Sequence, residues 1–240
     1  MAKFRRLLTI LIIFLGPGTV IWWIANTVEN HFIRLPYLGY TYTYNDAGEK
    51  IDSVAYKIPS FDLTTLDGKT INRDSIRDRF IIVTTIQNEC PELDSCALGL
   101  FHFNTIFYEK LADNDSYDNV QVLTILTDAN GNPVPEGPCD KLIEEMDEYD
   151  QSKWWLCYGD PTPFYNFPYY GDNFMNHVST PDLGEIGEFA FVNSLMLIDD
   201  EGYIRGVTGA KRDGDIRNFF DMLKLLKKEE FDNNLKAEGK

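Results

Sequence analysis

The stretch FIIVTTIQNECPELDSC, residues 80–96, decides how the rest of the chain is read. Its first half, Phe80-Ile81-Ile82-Val83-Thr84-Thr85-Ile86, is a β-branched run without alternation, the pattern of a strand buried on both faces. Its second half carries Cys90 and Cys96, and a helix is expected next, over 98–112, with Leu98, Phe101, Ile106 and Leu111 on its apolar side. A strand leading into a cysteine-bearing turn puts the thiols at a strand's carboxyl end, where ligands and reactive groups of α/β sheets gather. A thiol near a helix N-terminus loses its proton more readily, and two thiolates together form a soft site that selects Cu(I). The C-x5-C spacing also admits a plain structural disulfide, so both readings stand on the spacing alone.

Outward from this stretch, signals for strands and helices alternate. Ile58–Leu63 followed by Asp67-Gly68-Lys69 reads as a strand and a hairpin turn, because Asp-Gly accepts the positive φ of such turns. Val120–Leu126 reads as a second buried strand, and Cys139–Tyr149 as a helix with Leu142, Ile143 and Met146 inward. Phe189–Ile198 and Tyr203–Val207 read as strands around the turn Asp199-Asp200-Glu201-Gly202. Asp215–Glu230 reads as a closing helix with Ile216, Phe219, Phe220, Leu223 and Leu226 on one stripe. This βαβ…ββα order predicts an α/β, thioredoxin-like fold, a central mixed sheet covered by helices, preceded by one N-terminal transmembrane helix.

That N-terminal helix is read from Leu7–Ile24, 18 residues without a charge. As a helix they span ~27 Å, close to the ~30 Å hydrocarbon core of a bilayer. Gly16-Pro17-Gly18 interrupts the run, and Trp22 and Trp23 stand at its outer end, where indole favours the interface. Lys3, Arg5 and Arg6 precede it, and no acid occurs before Glu29. A basic tip, an apolar run and an acidic body describe a single-pass protein of the cell (inner) membrane whose start stays in the cytoplasm and whose main domain is periplasmic or extracytoplasmic. A cleaved signal peptide is the rival, but bulky Trp22, Trp23 and Ile24 stand where small residues are wanted. The expected organisation is a cytoplasmic tip (1–6), a transmembrane signal anchor (7–28), a tether (29–57), a thioredoxin-like domain (58–230) and a polar tail (231–240). A short strand is expected at Tyr40–Tyr44 within the tether.

The chain has 240 residues, a net charge of −16 and an isoelectric point near 4.5. So acidic a body excludes a nucleic-acid binder, which needs clustered Lys and Arg. The ordinary hydrophobic share, 44%, excludes a disordered chain. Four cysteines are too few for a disulfide scaffold but enough for one reactive pair and one structural bond. In an exported domain Cys139 and Cys157 are the structural disulfide candidate, with resolution of a mixed disulfide at Cys90 as the alternative role for one of them. Trp154-Trp155 and the aromatics of 164–170 read first as core packing with a rigid loop, and second as a docking face for a membrane partner. Glu144, Glu145, Asp147 and Glu148 read as a solvated helix face, and His102 as a helix-surface imidazole.

Several phrases resemble the SCO/SenC family, membrane-tethered thioredoxin-fold proteins associated with copper insertion into cytochrome c oxidase. They are the N-terminal anchor, Ile58-Pro59-x-Phe61-x-Leu63 with Asp67-Gly68-Lys69, the strand leading into Cys90-Pro91, Val122–Thr127 with Asp128, and Ser194–Ile198 with Asp199 and Gly202. The resemblance covers roughly Ile58 to Lys228. It implies Cu(I) delivery, thiol–disulfide exchange, or both, with Cys90 and Cys96 as redox pair and copper ligands. It also implies a cytochrome c oxidase subunit or another exported thiol protein as partner. The sequence departs from the family in two places. The family's C-x-x-x-C would put its second cysteine at Asp94, and Asn193 occupies the position of the family's copper-binding histidine, which leaves His177 as the candidate third ligand. These departures favour the alternative, a non-catalytic thioredoxin-fold binding module whose Cys90–Cys96 disulfide is purely structural.

Overall fold

The computed structural model describes residues 16–23, 34–87, 100–128, 134, 149–175 and 194–237. The chain divides into two compact units, Met1–Ile33 and Arg34–Lys240. In the first, residues 16–23 are helical. Among the described residues no helix is long and apolar enough to cross a membrane, and most of the expected 7–28 anchor lies outside them.

The second unit holds β1 (Thr41–Tyr44), β2 (Lys50–Val54), β3 (Asp62–Thr65), β4 (Thr70–Asn72) and β5 (Phe80–Gln87). A helical stretch follows, α1 (Leu100–Phe103), a π-helical turn (Asn104–Tyr108) and α2 (Glu109–Ala112). Then come β6 (Val120–Thr127), β7 (Trp154–Gly159), α3 (Thr162–Tyr165), β8 (Pro168–Tyr169), β9 (Asp172–Asn173), β10 (Ser194–Ile198), β11 (Ile204–Gly209) and α4 (Asp213–Ala237). Seven strands form one sheet in the order β11-β10-β5-β6-β7-β3-β4. β5, β6 and β7 are parallel; β10 runs antiparallel to β5, and β11 antiparallel to β10. Strand, helix and parallel strand, followed by an antiparallel hairpin and a closing helix, make the thioredoxin-like arrangement in a mixed sheet.

β5 and β6 are central because their side chains suit burial on either face. Ile82, Ile86, Val122 and Leu126 point to one core with Phe103, Phe107, Trp154, Phe219 and Leu223. Ile81, Val83, Leu123 and Ile125 point to the other, with Phe61, Phe164, Tyr165, Phe167 and Phe174. The first core lies under α1, the π-turn, α2 and α4. Thr84 and Thr124 sit side by side across the β5–β6 ladder, and the buried Trp154 indole N–H donates to Thr124 Oγ1 at 2.8 Å. α4 packs on β11 at Gly206, where a side chain would displace the terminal methyl of Met222.

Four elements differ from the sequence reading, the first being the helix after β5, where Phe101, expected on the apolar side, is exposed. The aromatic pair Trp154-Trp155 belongs to β7, whose alternation buries Trp154 and Leu156 on one face and places Cys157 on the other. The 29–57 stretch contains a second strand, β2, paired with β1 in a hairpin whose strand residues are all exposed. α4 runs seven residues beyond the expected Glu230, through a segment of helix-tolerant residues. The expected helix 139–149 lies outside the described residues apart from Tyr149, as do residues 189–193 of the expected third strand.

At the end of the sheet where β5 begins, a buried ion network locks three elements. Arg205 donates to Asp199 at 3.1 Å, to Glu229 on α4 at 2.7 Å and to the carbonyl of Leu35 at 2.8 Å. Asp199 also accepts the backbone N–H groups of Glu201 and Tyr203, shaping the β10–β11 turn. Removing one partner leaves the others charged and unpaired in the interior, which costs about 3–5 kcal/mol. Urea unfolding of Arg205→Met is therefore expected to show a loss in that range; a loss under about 1 kcal/mol would mean that the network is energetically idle.

Candidate functional site

β5 and β6 stop level with each other, Gln87 beside Thr127, and Asp128 follows at the same end. Because β10 is antiparallel to β5, its first residue, Ser194, lies at this end too, opposite Gly209 of β11. The chain leaves β5 here and re-enters the described structure at Leu100 of α1. The intervening segment carries Cys90 and Cys96. Both lie outside the described residues, as do Cys139, His177 and Asn193, which directly precedes β10. The structure thus describes the frame of the candidate site and not the thiols themselves.

Within that frame one side-chain pair stands out. His102 Nδ1 lies 2.8 Å from Asp213 Oδ1, joining α1 to the first residue of α4. Both side chains are about half exposed, so the pair faces solvent rather than core. A carboxylate at Nδ1 fixes the imidazole's orientation and leaves Nε2 without a hydrogen-bond partner among the described residues, the arrangement that prepares a histidine for proton transfer or for a soft metal. The bland sequence reading of His102 missed this. Its partner is more than a hundred positions away, and the acid in α4's first turn reads as an ordinary response to the helix dipole. Deeper in, Tyr165 is fully buried against Ser194, and burial pushes its hydroxyl pKa well up. Its phenol stays protonated at neutral pH, and its ring packs in the second core.

Cys157 lies two strands from β5, paired with Ile125 on one side and Thr65 on the other. It is a free thiol, wholly buried. Burial pushes its pKa up to about 12, with the Asp67 carboxylate adding to the effect. Such a thiol stays protonated and does not attack disulfides. The aromatic concentration divides in two: Phe164, Tyr165 and Phe167 are core, whereas Tyr170 is 85% exposed. The acids at 144–148 lie outside the described residues. Among the described residues no cluster of His, Cys, Asp or Glu has metal-holding geometry.

No protein-family model matches the chain, and no curated protein matches it. Solved structures similar to it include BsSco, a member of the Sco family of cytochrome c oxidase assembly proteins, at 13% identity over 72% of this chain and 94% of that one, TM-score 0.48. ScoI of Bradyrhizobium japonicum with copper bound is similar at 17% identity over 72% and 99%, TM-score 0.43. A thiol peroxidase from Chromobacterium violaceum is similar at 14% identity over 84% and 99%, TM-score 0.44.

The raised pKa of Cys157 has a measurable consequence. Above pH ~9 the unfolded thiol ionises and the folded one does not, so its contribution to stability is lost as the pH rises from about 9 towards about 12. At pH 8 the folded thiolate population is roughly a thousandfold below that of the unfolded chain. Peptide-resolved iodoacetamide labelling is expected to modify Cys157 only in denaturant; native labelling at the rate of an exposed thiol would contradict its placement.

Proposed function

We propose that this chain is a membrane-anchored, Sco/SenC-like thiol protein. In this reading it assists assembly of a respiratory oxidase copper site by delivering Cu(I), by thiol–disulfide exchange, or by both. The observation that carries the reading is the position of the β5–α1 junction. The two-cysteine segment leaves the central parallel strand at its carboxyl end and leads into a helix, the place where this fold concentrates reactive groups. The sequence resemblance over 58–228 and the apolar run Leu7–Ile24 support the family and the anchor.

In exchange, the Cys90 thiolate attacks one sulfur of a partner's disulfide, and the partner's other sulfur leaves as a thiolate. Cys96 then attacks Cys90, which releases the partner as a dithiol and leaves Cys90–Cys96 oxidised, two electrons having passed to the partner. In copper carriage the same two thiolates hold Cu(I) as cargo. Asn193 is a poor third contact, because an amide oxygen is hard. His102, oriented by Asp213, is the described imidazole closest in sequence to the pair and serves as third contact ahead of His177.

A second reading, a binding module with a structural Cys90–Cys96 staple, is favoured by the C-x5-C spacing and by Asn193. A Cu(I) titration of the fully reduced chain against a competing chelator, with Cys90→Ser and His102→Ala beside it, separates the two. The first reading expects one tightly held Cu(I) per chain, lost in Cys90→Ser and held ~10-fold or more weakly in His102→Ala. Unchanged copper binding together with unchanged disulfide exchange in Cys90→Ser would overturn it.

A further inference from the structure

A groove between residues 36–44 and 166–173 encloses about 790 Å3, a volume typical of small-molecule sites. Its walls are aromatic. Tyr40 stacks on Tyr42 with ring centroids 6.4 Å apart, and Tyr169 meets Tyr170 at 4.5 Å and 74°, forming a corner of two ring planes. Among the described residues no Lys, Arg or His lines the groove, and Asp172 is its single charged one. The amides contribute little to recognition, since Asn173 donates to Asn166 and its Oδ1 accepts the Met175 N–H.

Two further observations point to a cationic occupant. The first is that two tyrosines of the lining already take cations on their rings, from Lys50 and Arg205, side chains that do not themselves line the groove. Lys50 Nζ lies 3.6 Å from the centroid of Tyr42, and the Arg205 guanidinium 4.4 Å from that of Tyr37. The second is Tyr170. It stands at φ 46° and Gly171 at φ 85°, so both central residues of the β8–β9 turn are left-handed. Asn and Gly suit the first of these positions, and a tyrosine there is strained. The turn holds its ring 85% exposed, with the edge-to-face contact to Tyr169 as its one described ring partner.

We propose that this groove binds an organic cation of the quaternary-ammonium class. The ammonium sits in the corner made by Tyr169 and Tyr170, and the Asp172 carboxylate adds charge complementarity. Ring quadrupoles attract such a cation and have no equivalent attraction for a neutral body of the same shape. The site is separate from the cysteine pair and does not depend on the role proposed for it.

The test is calorimetric titration of the full chain in maltoside micelles, a detergent without an ammonium group. The probes are choline and its neutral isostere 3,3-dimethylbutan-1-ol, with wild type and Tyr170→Gly. Choline is expected to bind saturably, with the isostere about tenfold weaker. Tyr170→Gly keeps the turn, since glycine takes a positive φ freely, and is expected to weaken choline roughly fivefold. Glycerophosphocholine distinguishes the sources. Tighter binding than choline assigns the site to a lipid headgroup, and weaker binding assigns it to a free cation. Equal affinity for choline and the isostere, no saturable binding of either ammonium probe, or an unaltered Tyr170→Gly would overturn the proposal.

Discussion

The parallel pairing of β5 with β6 is the constraint on which the rest of this structure depends. Eight residues on each strand are paired, from Phe80 beside Val120 to Gln87 beside Thr127, and nearly every side chain described between them is buried. A slip of one residue between them would turn the side chains of one strand onto the opposite cores and part Thr84 from Thr124. The register therefore has one solution, and both strands finish at the same level. That level edge is where the chain departs towards Cys90 and Cys96 and where β10 enters, so the placement of the candidate chemistry follows from hydrophobic packing that has no chemistry in it.

The two ends of the sheet divide the work. Where β5 begins, Arg205 gathers Asp199, Glu229 and the Leu35 carbonyl, tying the β10–β11 turn, the closing helix and the segment entering the domain into one buried knot. The same guanidinium lies over Tyr37, so the segment that lines the aromatic groove is anchored by the network that closes the core. Where β5 ends, the described polar groups are the half-exposed His102–Asp213 pair and the ends of β6, β10 and β11. The buried ion network lies at one end, and the chain departs towards Cys90 and Cys96 at the other.

Much of the fold was legible in the sequence because burial on two faces leaves a continuous β-branched run, as at 80–86 and 120–126, and because the Ile216–Leu226 stripe has a single helical solution. β7 was harder: Trp154-Trp155 reads as a patch of aromatics until the strand beside it is known. β2 was hidden for the opposite reason, since an exposed hairpin carries no burial pattern. The candidate site was legible as a position in the chain and not as a set of partners. Nothing local to His102 foretells Asp213, and nothing local to Arg205 foretells Glu229, because each contact is made by folding and spans from 24 to more than a hundred residues. Cys157 shows the converse. Its inertness comes from neighbours on two adjacent strands, which spacing from Cys139 does not encode.

In the function proposed, the Cys90–Cys96 pair that follows the carboxyl end of the central strand is reactive and not a staple. Its midpoint potential, measured on the intact chain in glutathione or dithiothreitol redox buffers with the oxidised and reduced forms resolved by mass, decides this most directly. A reactive pair is expected to titrate above about −300 mV, in the range of exchange-competent thiol proteins. A pair that stays oxidised to more negative potentials would be a structural disulfide, and the exchange and copper roles would both fall with it.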